Sequence, residues 1–380
     1  MKQNSIGRQI LYILSHILYL FLTFGVGYGV AAAVMRIHSG SLRSIPFVIC
    51  FVIALILQYW LHTFGHWIFG KLSGFKLISV SFLQQVHVKE RQKIITRQPL
   101  PESVLTTCLM APTQSSTRIS YTLYWMGGTI FNLVFGLVSL LIMVLFRCSL
   151  DTILGCFCFS LFQAGVFFSF LNALPMYHGS LPNDGLKAWL LHKDPRLRSV
   201  FTKNLRILLW LSEGKWSLDQ IPESLLNHEP FAHKDVFTAL LMMRQYELLL
   251  WRGSRKEARK VLTWLYENMS AFPEEWQLRI MQESIFMILS DHRDPELSKL
   301  LMTEERCRQF EEIHSPESLR CLFAWALHSD NQQDMVTVYE NAAIKATGKV
   351  AFRSASEAWR RIIIECRWIS EGIDELDMMD

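Results

Sequence analysis

The sequence predicts a mainly α-helical, polytopic membrane protein in two parts. The first part has four transmembrane helices and a small β-hairpin beside the membrane, and the second is an all-α, helical-repeat-like domain. Three observations carry this prediction: long uncharged apolar runs, an uneven distribution of charge, and a helical period after residue 187. The composition agrees, because 51% of the 380 residues are hydrophobic and 19% are charged.

Four apolar runs without Asp, Glu, Lys or Arg exceed the ~20 residues that a helix needs to cross a bilayer. These runs are Ile10–Met35, Ile45–Gly70, Ile119–Phe146 and Thr152–Gly179. A signal peptide is the alternative for the first run, but the run is longer than a signal core of ~7–15 residues. Residues 1–44 are therefore predicted to be a retained N-terminal anchor.

Charge separates the two parts and sets the predicted orientation. Residues 1–187 contain 13 Lys and Arg against 4 Asp and Glu, whereas the whole chain has 38 and 34. Most of these basic residues flank the runs on one side, and the positive-inside rule makes that side cytoplasmic, with both termini and residues 188–380. Because the basic excess borders membrane spans, membrane lipid is the predicted partner and nucleic acid is not.

The loop over residues 74–118 predicts a β-hairpin beside the membrane. Residues 75–88 mix β-branched and aromatic side chains with partial alternation, residues 89–93 form a polar turn, and residues 94–96 begin the return strand. If one strand leaves an open edge, an extended peptide can add to it. A surface hairpin without a ligand is the alternative, and the sequence leaves both open.

The chemistry-bearing residues lie near the ends of the second and fourth runs. His62 and His66 are four residues apart, so both imidazoles share one helix face and can reach one metal ion with a carboxylate from elsewhere. Asp184 follows the fourth run, where a carboxylate is costly unless it is solvated or bound to a cation. The small residues before Asn132, and its need for a polar partner, predict that this face packs on the histidine helix.

Three spaced motifs resemble those of the site-2 protease family of intramembrane zinc metalloproteases, in particular a bacterial branch with a cytoplasmic helical tail. The resemblance covers roughly the first half of the chain and implies an inner-membrane location. It implies that His62, His66 and Asp184 are ligands of Zn²⁺. It also implies that Asn172 helps to hold the substrate or its developing oxyanion. The motifs are His62-Thr63-Phe64-Gly65-His66, Gly127-Gly128 with Asn132, and Asn172-Ala173-Leu174-Pro175 followed by Asn183-Asp184-Gly185.

Thr63 departs from that family, which has its catalytic glutamate at this position. A positioned general base contributes about 10²–10⁴-fold, and a threonine hydroxyl cannot take its place at neutral pH. The leading hypothesis is a catalytically impaired pseudoprotease that binds zinc and a membrane-anchored or short peptide. One alternative is an active metalloprotease with an unconventional base, for which Glu90, Glu102 and Asp151 are the remaining acids of residues 1–187. Another is a non-enzymatic membrane adaptor with an empty site.

The remaining sequence divides into a membrane core over residues 45–187 and a helical domain over residues 188–380. Helices are predicted to open near residues 235, 274 and 315, and Ser254 and Glu257 fit a capping box. The spacing is close to that of helix-pair repeats, which commonly bind peptides or proteins, so a cytoplasmic protein partner is predicted for this domain. A compact bundle without a groove is the alternative.

Overall fold

The structure, a computed structural model, is mainly helical with a small antiparallel sheet. The chain divides into two compact units, which are described separately: the first has Met1–Val80 and Leu105–Thr202, and the second has Ser81–Val104 and Lys203–Asp380. The described residues are 25–27, 29, 41–82, 85–90, 93–97, 106–113, 118–178, 181–213, 221–226, 235–272, 274–291, 295–328, 333–350 and 352–371.

Three helices of the described chain are long and apolar enough to cross a membrane, which indicates a membrane protein. Helix α1 is Ser41–Leu72, α2 is Arg118–Leu145 and α3 is Ile153–Ala173. Each lies on one of the predicted apolar runs. The first predicted span, Ile10–Met35, lies almost wholly outside the described residues, so a fourth span stays a prediction.

Helices α1 and α2 turn apolar side chains outward and small residues inward. Val48 and Ile56 on α1 remain 53% and 52% exposed, as expected for side chains that face lipid. On the inner side, a Cβ atom on Gly65 would collide with the carbonyl oxygen of Gly127, so only glycine permits this approach. The predicted packing of the Gly127–Asn132 face on the histidine helix is confirmed.

Helix α3 ends where the sequence predicts, just before Pro175. The Thr152 hydroxyl caps its first turn by accepting a hydrogen bond from the Gly155 amide, and Leu174 leaves the helix in an extended conformation. A short hairpin of β5 (Tyr177–His178) and β6 (Leu181–Pro182) follows. Two helices complete this stretch, α4 at Asp184–Lys193 and α5 at Pro195–Glu213.

The predicted hairpin is part of a four-stranded antiparallel sheet. Its strands are β1 (Phe75–Phe82), β2 (Gln85–Glu90), β3 (Lys93–Arg97) and β4 (Cys108–Pro112), and their order across the sheet is β3-β2-β1-β4. The polar turn is confirmed, because Glu90 pairs with Lys93 across β2 and β3. Two strands were nevertheless too few: residues 75–88 are split between β1 and β2, and β4 pairs with β1 through Leu77 and Met110.

The second unit contains a series of helices after residue 213. The predicted helix openings are confirmed at Val236, Glu274 and Pro316, with Asp235 and Ser315 as side-chain caps. The described helices are α6 (Glu223–Leu226), α7 (Val236–Trp251), α8 (Arg255–Glu267), α9 (Glu274–Asp291), α10 (Pro295–Leu301), α11 (Glu304–Ile313), α12 (Pro316–Leu327), α13 (Gln333–Thr347) and α14 (Arg353–Glu371), with a 3-10 turn at Met269–Ala271.

The predicted capping box at Ser254 is wrong. Ser254 precedes α8, but its ψ angle of 56° is far from the extended conformation that a capping side chain requires, and its hydroxyl caps no amide. The preceding Gly253 has a φ angle of 77°, so the chain reverses direction within two residues. The backbone turn therefore starts this helix without a side-chain cap.

Helix α14 packs against earlier helices of the second unit. The ring of Trp359 lies 6.1 Å from that of Trp251 on α7 and 6.2 Å from that of Phe286 on α9. The buried guanidinium of Arg320 on α12 stacks 3.6 Å from Trp359 and forms an ion pair with Glu283. These contacts bring α7, α9, α12 and α14 together beside one buried guanidinium.

Candidate metal centre

Two imidazoles converge near the C-terminal end of α1. The Nε2 atoms of His62 and His66 are 3.0 Å apart, and the two rings stand almost perpendicular at 86°. The spacing of four residues places one ring above the other on the helix face that turns toward α2. His66 is 1% exposed, whereas the His62 side chain retains 13% exposure, so the centre opens on the His62 side.

Asp184 completes the group from the first residue of α4. Its Oδ2 atom lies 3.0 Å from His62 Nε2 and 3.2 Å from His66 Nε2. The neighbours of Asp184 in sequence explain this position. Asn183 caps α4 by accepting a hydrogen bond from the Leu186 amide, and its own amide donates to the Leu174 carbonyl at the end of α3.

Gly185 allows α4 to begin directly against the end of α3. A Cβ atom at this position would collide with the carbonyl oxygen of Ala173, so any other residue would push α4 away. The three residues of the Asn-Asp-Gly motif thus have separate tasks: the asparagine attaches the helix start, the aspartate enters the centre, and the glycine permits the close approach.

His66 is fixed in the tautomer that a metal ion requires. Its Nδ1 atom lies 2.8 Å from the backbone carbonyl of Tyr124. A carbonyl oxygen only accepts, so the proton is on Nδ1 and the lone pair on Nε2 points into the centre. A ring nitrogen that donates to a carbonyl is the usual arrangement behind a metal-ligating histidine.

Lys187 supplies a buried positive charge on the other side of Asp184. Its Nζ atom lies 2.9 Å from Asp184 Oδ1 and 4.2 Å from the centre of the Trp125 ring. Burial alone would raise the pKa of Asp184, but Lys187 and the two histidines outweigh burial and hold that pKa well below its usual value. Burial lowers the pKa of Lys187, and the carboxylate of Asp184 opposes that change.

Thr63 places a hydroxyl where the resembling family has its catalytic glutamate. Thr63 is 5% exposed, and its Oγ1 atom donates to the Tyr59 carbonyl at 3.1 Å. The Thr107 hydroxyl lies 2.9 Å from the same atom, just before β4 begins. This hydroxyl pair connects α1 to the approach of β4 and provides no base at neutral pH.

The outer edge of β4 is occupied by the side chain of Tyr124. The Tyr124 hydroxyl donates to the Cys108 carbonyl at 2.5 Å and accepts from the Met110 amide at 3.3 Å. Both backbone groups lie on the last strand of the sheet, so they are the groups that an added strand would use. The open edge considered from the sequence is therefore closed at these two residues.

Asn172 is the predicted substrate-holding residue, and three acids are the alternative bases considered from the sequence. The Asn172 amide donates to the Phe168 carbonyl of its own helix at 2.9 Å, and its role in holding a substrate stays a prediction. Asp151 accepts from the Ser149 hydroxyl at the N-terminal end of α3, about 30 Å along that 21-residue helix from its other end. Glu90 ends β2, and Glu102 lies outside the described residues.

The His62, His66 and Asp184 group suits a divalent metal ion. It is the one group of three potential metal ligands found among the described residues. Zinc ligands at about 2.0–2.2 Å in a tetrahedron lie about 3.4 Å from each other, close to the 3.0–3.2 Å that separates these donor atoms. Two imidazoles and a carboxylate suit zinc and several other transition metals, so the donor set does not single out zinc.

Three residues that bond to this centre or to Thr63 were not predicted from the sequence: Lys187, Tyr124 and Thr107. Lys187 had a signal, because it follows Asp184 by three residues and shares its helix face. Tyr124 and Thr107 had none, because their contacts depend on tertiary packing.

No family model, curated protein or solved structure matches the chain. Fold and centre thus define a class, an apolar helical protein with a buried group that could hold a metal ion.

Proposed function

We propose that this protein is a multi-pass membrane pseudoprotease that binds zinc and a membrane-anchored or short peptide but hydrolyses peptide bonds poorly. One observation carries the proposal: two histidines and an aspartate converge on one point, while the adjacent residue that should supply a base is a buried threonine. Metal ligation and base catalysis need different residues, so metal binding can persist after the catalytic base is lost.

The residues of the centre have distinct tasks in this proposal. A bound zinc ion would supply Lewis-acid chemistry that polarises a carbonyl oxygen. His66 presents a lone pair fixed by the Tyr124 carbonyl, and Asp184 presents one oxygen while Lys187 holds the other. None of these groups is placed as a free base, because Asp184 is already bonded on both oxygens.

The proposed peptide site is the region where β4 starts beside Thr63. An extended segment that adds to the outer edge of β4 would lie close to α1, which holds both histidines. Such a segment has to displace the Tyr124 hydroxyl from Cys108 and Met110. The helical domain over residues 188–380 is proposed to bind a cytoplasmic partner, and the location is proposed to be a bacterial inner membrane.

The first test is the metal content of the purified full-length protein. Wild type is expected to retain about one zinc per chain after dialysis, and His62→Ala is expected to lose it. His192→Ala is the matched control, because His192 is an exposed histidine on α4 whose ring lies near Thr122. Wild type without stoichiometric metal would contradict the proposal.

Wild type without stoichiometric metal would instead favour the non-enzymatic adaptor with an empty site. The structure offers one argument for that adaptor. Lys187 already compensates the charge of Asp184, so this buried carboxylate does not require a metal ion for its neutralisation. Elemental analysis separates the two candidates directly, since only the pseudoprotease contains zinc.

The second test restores the base. Thr63→Glu is expected to raise cleavage of a single-span substrate by about 10²-fold or more, whereas Thr63→Gln, of the same length but not basic, should leave it unchanged. Wild type that already cleaves, and stops after Asp184→Ala, would instead establish an active protease with an unconventional base.

A further inference from the structure

Asn132 on α2 is a further polar neighbour of the candidate metal centre. It is fully buried, and its Nδ2 atom lies 3.3 Å from Nδ1 of His62. Its Oδ1 atom is also buried and has no hydrogen-bond partner among the described residues. A buried amide oxygen without a partner is costly, so this half-satisfied side chain calls for an explanation.

The explanation lies in the two tautomers of His62. In one tautomer His62 donates the proton on Nε2 to Asp184, and Nδ1 accepts from the Asn132 amide, which faces it in the structure. A metal ion needs the lone pair of Nε2, which moves the proton to Nδ1. Nδ1 then requires an acceptor, and the Nδ2 group of Asn132 cannot accept.

Rotation of the Asn132 amide by 180° would solve this problem, because it exchanges the amide nitrogen and oxygen in nearly the same space. The His62 ring itself has no such freedom. A Cβ atom built on Gly128 would lie 2.5 Å from His62 Cε1, so the ring packs directly against the α2 backbone. The side chain that adapts is therefore the asparagine.

We propose that Asn132 is a positioning residue that lets His62 change tautomer when metal binds. The inference rests on the proposed metal-binding function. His66 is held permanently in the ligand tautomer by a carbonyl that cannot change role, whereas His62 becomes a ligand only when the Asn132 amide turns its oxygen toward Nδ1. His66 is therefore always in the ligand tautomer, whereas His62 adopts it only after the Asn132 amide has rotated.

The test compares two substitutions in the full-length protein. Asn132→Leu removes the donor and the acceptor at similar volume, and it is expected to weaken zinc binding about 10–100-fold in a competition titration with a chromophoric chelator. Asn132→Asp only accepts from Nδ1, so it should bind zinc at least as tightly as wild type. Its melting temperature without metal should fall, because the metal-free tautomer loses its donor.

Gln58→Leu is the matched control. Gln58, on α1 one turn before His62, is another fully buried amide, and its Nε2 atom donates to the Leu161 carbonyl at 3.0 Å instead of to a histidine. This substitution should lower the melting temperature and leave zinc affinity unchanged. A general loss of helix packing would instead affect both leucine variants alike.

The outcomes separate the inference from the function on which it rests. Zinc binding of wild-type strength in Asn132→Leu overturns the inference alone. Weaker binding in Asn132→Asp than in wild type also overturns it, and this variant decides the matter if Asn132→Leu does not fold. Wild type that takes up no zinc overturns the proposed function and, with it, the inference.

Discussion

At the scale of single residues, Lys187 places a buried positive charge beside the candidate metal centre. Its ammonium neutralises Asp184 through Oδ1, and both side chains are almost inaccessible to water. Charges at such short range inside a protein interact by several kcal/mol. A metal ion that binds to Oδ2 therefore enters a site that already contains one positive charge.

Lys187→Met is expected to raise zinc affinity by roughly 10-fold or more, because it removes this repulsion while keeping the volume of the side chain. The metal-free variant should be less stable by about 3–5 kcal/mol, since Asp184 stays buried without its partner, and zinc should restore most of that loss. Zinc titration and thermal unfolding with and without metal measure both effects.

Lys71→Met serves as the control for this prediction. Lys71 is an exposed lysine at the end of α1 that also lies over a tryptophan ring, that of Trp67 at 4.3 Å. Its replacement should change neither zinc affinity nor stability by much. If Lys187→Met binds zinc no more tightly than wild type, Lys187 does not repel the metal ion but helps to hold Asp184 in its ligand position.

Sequence reasoning found the three converging side chains but not what surrounds them. His62 and His66 were visible because a helix places residues four apart on one face, and Asp184 stood out as a carboxylate beside an apolar run. The convergence of all three is confirmed. The partners of Thr63 and His66 come from residues 44 and 58 positions away, a separation that no local pattern encodes.

At the scale of elements, the edge of β4 determines whether an extended peptide can bind. The Tyr124 hydroxyl bonds to Cys108 and Met110, and the Tyr124 backbone carbonyl accepts from His66. The Thr106 hydroxyl also donates to the Cys108 carbonyl, at 3.4 Å. Tyr124 therefore links the state of the sheet edge to the metal centre. Opening the edge requires that the Tyr124 hydroxyl leaves and that a strand whose five residues are all buried becomes accessible.

Tyr124→Phe is expected to increase the binding of a labelled, valine- and threonine-rich peptide about 10-fold in lipid nanodiscs. The variant frees the Met110 amide and leaves the Cys108 carbonyl with only its longer bond from Thr106, which removes a competing interaction of about 1–1.5 kcal/mol. The peptide-free protein should be less stable by about 1–3 kcal/mol, because these backbone groups are buried.

Ser139→Ala provides the comparison for that experiment. Ser139 is a buried hydroxyl on the same helix, and it donates to the Gly136 carbonyl at 2.7 Å without contact to the sheet. It should leave peptide binding as in wild type. If Tyr124→Phe binds the peptide no better than this control, strand addition at β4 is excluded as the peptide-binding mode.

The elements themselves were predictable to different degrees. The helices stood out by their apolar runs, and the end of α3 by Pro175. The strand β4 did not, because all five residues of Cys108–Pro112 are buried and the alternation that marks a half-exposed strand is missing. The separation of β1 from β2 was also missed, since apolar residues continue through both.

At the scale of the molecule, composition predicted the division into apolar and soluble parts. The three candidate spans are helices with exposed apolar side chains, and the second unit contains amphipathic helices such as α8 and α14. Orientation is a property of the protein in its membrane and rests on the positive-inside rule alone. That rule places the loop between α2 and α3 on the outside, because Arg147 is its only basic residue.

A native cysteine in this loop tests the orientation without any added reporter. All eight cysteines are within the described residues: Cys148 is half-buried between α2 and α3, and the other seven are buried. A membrane-impermeant maleimide should therefore label wild type in spheroplasts, fail to label Cys148→Ser, and fail to label wild type in inverted vesicles. Labelling confined to inverted vesicles would reverse the orientation. The histidine end of α1 lies at the opposite end of the apolar helices from this loop, so the proposed metal centre would then face outward.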